Sequence, residues 1–267
     1  MPEDVFVAFS EVTVSGLAMI GISLLMMYLG VARKYEPLLL VPISIGCLLA
    51  NLPGTKIADD EGFLGILRTA GLDNELFPLL MFLGVGALTD FTPLIQRPVT
   101  VLLGAASQFG IFAALILALL LGWSVENAGA IGIIGSADGP TTIYVASKLA
   151  GEGLLAPIAV AAYSYMAMVP IIQPPIMKLL TTKKERMVKM SYPSKSASYK
   201  ARVSFPIIVI ILTSLIAPEA TPLVGMLMFG NLLREVGVVD RLAKSTQNEL
   251  INVTTIFLGL TVGSTMS

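Results

Sequence analysis

Ser136, Asp138, Thr141 and Thr142 set four oxygen-bearing side chains into an otherwise apolar, small-residue run, GIIGSADGPTTIYVASKLA, residues 132–150. A charged residue at mid-bilayer costs roughly 2.5–3.5 kcal/mol on insertion scales, so Asp138 reads by default as a cation or proton site. Proline lacks an amide hydrogen and pushes the residue before it out of helical geometry, so Gly139-Pro140 is expected to end one helix and start another. Backbone groups freed by such a break cannot face lipid and must line a protein-enclosed cavity. The Asp138 carboxylate, the hydroxyls of Ser136, Thr141 or Thr142 and unwound carbonyls form an oxygen set for a hard cation, with Na+ the expected ion. A second reading makes Asp138 only the N-cap of the helix beginning at Pro140. Tyr165, in AYSYMAMVPIIQPP on the next apolar run, is a further candidate as Na+ ligand or proton donor, or as a hydrogen-bonded core phenol.

The elements that must position these residues are membrane helices. The 267 residues are 55% hydrophobic and 13% charged, with a mean hydropathy of +0.83, which predicts an all-α, polytopic, multi-pass protein of the cell membrane. No histidine is present, so any proton traffic must use carboxylates, tyrosines or water. The single cysteine, Cys47, excludes an internal disulfide or thiolate cluster and reads as packing. The acidic start, MPEDVF, lacks a basic n-region and a cleavage site, so the first apolar run is expected to be retained. No GxxxxGK[ST] and no strand-borne GxGxxG occurs, which argues against an ATP-driven pump, and nothing points to nucleic acid.

Residues 14–31 are long enough to span and are followed by Arg33-Lys34, placing that end in the cytoplasm. Residues 37–51 run outward, the acidic stretch 52–76 reads as an external polar loop, 77–89 return, and 99–123 cross again to the interfacial Trp123. Residues 155–180 are a full span, bent by Pro170, Pro174 and Pro175 with Gln173 between them. The loop after it carries Lys183, Lys184, Arg186, Lys189, Lys195, Lys200 and Arg202 and must be cytoplasmic. Parity then favours a re-entrant hairpin around Asp138, with an unwound full span as the alternative. The loop's length and serines would also suit docking of an acidic soluble partner.

Later segments echo earlier ones. Residues 37–49, PLLLVPISIGCLL, resemble residues 222–233, PLVGMLMFGNLL, and MFLGVGALTD (81–90) resembles IFLGLTVGST (256–265), in the same order but opposite direction. That is an inverted-topology repeat of the kind transporters use, with the site at the midplane. The expected divisions are residues 1–181, a first membrane repeat with the Asp138 site; 182–203, the basic cytoplasmic loop; and 204–267, the start of a second, incomplete repeat. Copy one continues about 90 residues past Asp90 whereas copy two stops near its equivalent, so a second broken segment is expected from outside this chain or from a split product. Asn51 and Asn231, near span ends, are expected to bond between helices rather than to an ion.

At GSADGPTTIYVASKLA, AVAAYSYMAMVPIIQPPIMK, FLGVGALTDF and MFGNLLREVGVVDRLAKSTQNELINVTTIFLGLTVG the chain resembles the beta subunits of sodium-pumping biotin-dependent decarboxylases. The likeness runs over essentially the whole chain, nearest to the oxaloacetate type, with the methylmalonyl-CoA and glutaconyl-CoA types next. It implies a membrane subunit that decarboxylates carboxybiotin held on a partner, exports Na+ and takes up an external proton. The implied partners are a biotin-carrying carboxyltransferase alpha subunit and a small membrane gamma or delta subunit, besides the lipid bilayer and a possible homo-oligomer. The family's essential aspartate falls on Asp138 and its tyrosine on Tyr165; its later Asn, Gly and Ser segment has no counterpart here. Met177-Lys178, the only Met-Lys pair, closes a membrane span and does not suit a biotin carrier. Two other readings are a Na+-coupled secondary transporter of an organic anion and a truncated remnant that anchors partners.

Overall fold

The computed structural model describes residues 12–151, 153–189 and 197–266, without the side chains of residues 166, 167 and 170. The acidic N-terminus, Lys195 and the ring of Pro170 thus lie outside the described residues. Helices α1 (Val14–Val31), α2 (Pro37–Ala50), α3 (Phe63–Arg68), α4 (Leu76–Leu88) and α5 (Val101–Leu120) are followed by α6 (Val125–Gly132) and α7 (Gly139–Leu149). Then come α8 (Leu155–Leu180), α9 (Tyr199–Ile216), α10 (Thr221–Val236) and α11 (Ile251–Ser264), with short turns between them. No strand occurs among the described residues. The chain is an all-α polytopic membrane protein; α1, α5 and α9 are each long and apolar enough to cross a bilayer.

Helix directions follow from the side-chain contacts. The thiol of Cys47 donates to Met19 O and the hydroxyl of Ser44 to Met27 Sδ, so α1 and α2 are antiparallel. Gly259 lies against Pro42 and Gly263 against Ile43, while Asn51 donates to Met266 O at 2.6 Å, so α2 and α11 run the same way. The Thr255 hydroxyl meets Met81 Sδ and Gln247 donates to Ala87 O, so α4 opposes α11. The two segments that share the MFLG/IFLG pattern therefore point in opposite directions, which is an inverted repeat in three dimensions.

The pairing is reciprocal. The first element of each copy packs on the second element of the other: α2 on α11, α10 on α4. Glycine makes both crossings possible, since a Cβ on Gly46 would stand 2.2 Å from Leu260 O and one on Gly230 would stand 2.0 Å from Leu83 O. The helix ends are tied in the same crossed fashion: Asn51 donates to Met266 O just past α11, and Asn231 donates to Thr89 O at 3.0 Å and Arg234 to Leu88 O at 2.9 Å at the end of α4. Both asparagines thus serve interhelical hydrogen bonds, as their positions predict. A single π turn precedes the second element of each copy, at Thr69–Asp73 and at Thr246–Leu250. No string match revealed that likeness.

Residues 52–76 are more ordered than a polar loop. Leu64 and Leu72 are fully buried, and the helical arm from Phe63 to Asp73 meets α4 at 59°. Five apolar residues between the charges, FLGIL, are enough to fold the arm back onto α11. The π turn sets Gly71 against the Phe77 ring, where no Cβ fits.

Taken together, these directions gather Arg33, Lys34, Arg97, Lys200, Arg202, Arg234, Arg241 and Lys244 on one side of the helical layer. Asp59, Asp60, Glu61, Asp73 and Glu75 gather on the other. The basic side is cytoplasmic by the positive-inside rule. There Arg202 pairs with Glu235 at 3.1 Å, and hydrogen bonds from Thr92, with Arg234 adding its charge, hold the Asp90 carboxyl below the usual carboxylate range.

Candidate functional site

The break sits between α6 and α7. Ile133–Ser136 tightens into a 3-10 turn, Ala137 adopts a left-handed conformation at φ 54°, and Asp138 is extended at φ −128°. With 8 and 11 residues, α6 and α7 reach only about 12 and 16 Å at 1.5 Å per residue, too short for a core of about 30 Å. Their outer ends meet: Gly151 N donates to Asn127 Oδ1 at 2.8 Å, and Gly129 touches Leu149. The two half-helices therefore enter and leave on one side as a re-entrant hairpin, not an unwound crossing. Lys148 pins that side to the start of α4 through Glu75 at 2.7 Å. Helix α5 packs on the hairpin by backbone approach, with Gly110 and Gly135 so close that a Cβ on Gly135 would lie 2.5 Å from Gly110 O.

Asp138 is the N-cap of α7. Its Oδ1 accepts from Thr141 N at 3.4 Å and its Oδ2 accepts from the Thr141 hydroxyl. The fully buried Thr142 hydroxyl donates to Asp138 O at 2.7 Å, so that hydroxyl serves the backbone at the break. Ser136 Oγ is buried without a hydrogen-bond partner. Capping and a charged site can thus share one geometry here: the carboxylate that organises the helix start takes the Thr141 amide and hydroxyl, and Ser136 Oγ lies buried two residues before it.

The two tyrosines of the YSY string take different faces. Residues two apart on a helix point about 200° apart, so only one can enter the core. That one is Tyr163, 1% exposed, whose ring lies directly on Gly139; a Cβ there would fall 2.2 Å from Cε1 and 2.7 Å from the phenolic oxygen. Tyr165 is 40% exposed and lines a cavity of about 300 Å³ with Ala137, Val169, Ile172, Gln173 and Met177. Tyr165 and Gln173 thereby reach the break from its open side at Ala137, and Tyr163 reaches it from the core. The string pointed to Tyr165 and not to Tyr163; the signal for Tyr163 is that it shares a helix face, at i−7 and i−4, with the small residues Ala156 and Ala159, which are also buried.

Among the described residues no group of three or more His, Cys, Asp or Glu is placed so that it could hold a metal ion. One carboxylate with neutral oxygens balances a single positive charge, as a monovalent cation requires, and gives a divalent ion too little. Replacing Gly139 by alanine is expected to drive Tyr163 off the break, because backbone and ring leave no room. Na+-stimulated turnover of the assembled complex should fall at least about tenfold while the subunit still inserts and assembles.

Comparison with known proteins decides the family. The profile described as Na+-transporting oxaloacetate decarboxylase beta subunit matches residues 15–267. This chain belongs to that family. It is 54% identical over 262 residues to the methylmalonyl-CoA decarboxylase subunit beta of Veillonella parvula, covering 98% of this chain and 68% of that one. It is 51% identical over 261 residues to the glutaconyl-CoA decarboxylase subunit beta of Acidaminococcus fermentans, with the same coverage of 98% and 68%. It is 43% identical over 307 residues to the oxaloacetate decarboxylase beta chain of Klebsiella pneumoniae, covering 92% and 70%. The identities to these two acyl-CoA types thus exceed that to the oxaloacetate relative, the reverse of the order expected from the motifs. The protein is a membrane-integral subunit of a Na+-transporting decarboxylase, and as a beta subunit it works with partner subunits.

Proposed function

We propose that this chain decarboxylates carboxybiotin borne by a partner subunit and couples that reaction to outward movement of Na+ through the Asp138 hairpin, with uptake of an external proton. The observation that carries this reading is a carboxylate at the tip of a re-entrant hairpin, beside a buried hydroxyl that lacks a partner. Asp138 holds the cation while ionised, and protonation of the same carboxyl releases it. Ser136 and Thr141 complete the near shell, and Tyr165 acts from the cavity at Ala137 as a ligand or proton donor.

The biotin belongs to another chain. Lys178 of the only Met-Lys pair lies in the last turn of α8, where no projecting hairpin presents it. When bound, carboxybiotin supplies a carboxyl group whose loss drives the ion uphill; moving one charge against 100 mV takes about 2.3 kcal/mol. The remaining partners are a carboxyltransferase alpha subunit and a small gamma or delta membrane subunit. The acid decarboxylated is set by the carboxyltransferase, and oxaloacetate or an acyl-CoA both suit the chemistry read here.

In proteoliposomes carrying the assembled complex, Na+ uptake should require the acid substrate and stop when avidin blocks biotin. Uptake that persists under avidin would sink this reading and favour a secondary carrier.

A further inference from the structure

We infer that the Tyr163 hydroxyl is a further oxygen ligand of the cation site, set at its cytoplasmic mouth. The inference rests on the reading of Asp138 as the cation carboxylate and extends it to a residue on the opposite helix face from Tyr165. A phenol costs free energy to bury unless its oxygen and hydrogen are engaged. Tyr163 is 1% exposed, and its hydroxyl has no hydrogen-bond partner in the protein. Ser136 Oγ, on the same break, is another buried oxygen without one; the Tyr144 hydroxyl, farther along α7, and Thr221 Oγ1 on α10 are the others among the described residues. Two buried oxygens with unused lone pairs, one two residues before Asp138 and one against Gly139 just after it, are the kind of donor a cation site uses.

The surroundings define what the phenol faces. Its ring rests on Gly139, so its oxygen is held beside the extended Asp138 backbone with no freedom to swing across the break. Asp138 immediately precedes the Gly139 on which the ring rests, and Glu36 lines the same cavity as Tyr163. Beyond Tyr163, away from the hairpin's outer ends, lies a cavity of about 110 Å³ lined by Met26, Leu29, Tyr35, Glu36 and Ser164 among others. Tyr35 and Glu36 follow Arg33-Lys34, so this cavity belongs to the cytoplasmic half. It has room for several waters. A lone pair of the Tyr163 oxygen can then turn to a cation at Asp138 while its hydrogen turns to this cavity, satisfying both. The neutral oxygen adds a ligand without adding charge, and it stands between the site and the side from which an exported ion must arrive.

The test is the Na+ dependence of decarboxylation by the assembled complex, with direct 22Na+ binding, in Tyr163→Phe. The ring that packs on Gly139 stays, and only the oxygen is lost. Half-saturating Na+ should rise about fivefold to tenfold while turnover at saturating Na+ stays within about twofold, the loss of one neutral ligand. Discrimination of Na+ from Li+ should change with it, which a purely structural role would not produce. Should Tyr163→Phe fail to assemble, 3,5-difluorotyrosine at position 163 keeps shape and hydroxyl but draws electrons from the oxygen, and should raise half-saturating Na+ in the same direction. An unchanged half-saturation in whichever of these assembles overturns the inference. Asp138→Asn separates the two levels: if it binds 22Na+ normally, the cation-site reading itself fails, whereas loss of binding there with an unmoved Tyr163→Phe removes only the role of Tyr163.

Discussion

Asp138→Asn should reduce Na+-dependent decarboxylation and 22Na+ uptake by the assembled complex at least about 100-fold. The substitution separates the two readings of this residue because asparagine is as good an N-cap as aspartate. The Thr141 amide keeps an acceptor, so α7 still begins at Gly139, and only the negative charge goes. Removing one partner of a buried charged pair costs about 3–5 kcal/mol, which converts to between two and four powers of ten in affinity. A variant that folds, assembles and retains normal Na+ stimulation would show that Asp138 is a cap and nothing more.

The second large effect concerns the crossed repeats. Gly230→Ala would place a Cβ 2.0 Å from Leu83 O and 2.8 Å from Ala87 N, both backbone atoms of α4 that cannot rotate away. The helices must separate, and with them the hydrogen bonds from Asn231 and Arg234 to Thr89 O and Leu88 O. Overpacking of this kind costs about 1–3 kcal/mol, and the stretched caps add to it. The thermal midpoint of the detergent-solubilised subunit should drop by several degrees. Gly225→Ala, on the same helix with nothing within 4 Å, is the control and should be neutral or stabilising by about 0.5–1 kcal/mol. Equal effects at both positions would deny that the repeats are held by backbone approach.

Much of this molecule was legible in one dimension because lipid imposes simple rules. Composition and segment length fixed a helical membrane protein, loop charges fixed its sidedness, and Gly139-Pro140 fixed where a helix had to break. The opposed direction of the two copies followed from charge parity before any contact was known. Each of these depends on local chemistry or on counting, which sequence preserves.

What depended on packing was only partly legible. Parity favoured the re-entrant return but left an unwound crossing open; the contact of Asn127 with Gly151 decides between them, and neither residue signals it in the sequence. The ordered arm at residues 63–73 was hidden because its five apolar residues sit among charges that read as solvent-facing. Tyr163 and Tyr165 look alike in a string, and either could face the site; burial against Gly139 assigns the core to Tyr163 and leaves Tyr165 to the open cavity. Sequence thus determined that a carboxylate must sit at broken backbone within the membrane, since desolvation forbids it elsewhere. Only the tertiary structure decided which oxygens share that break, because helix rotation is set by steric fit between backbones and not by the identity of any one residue.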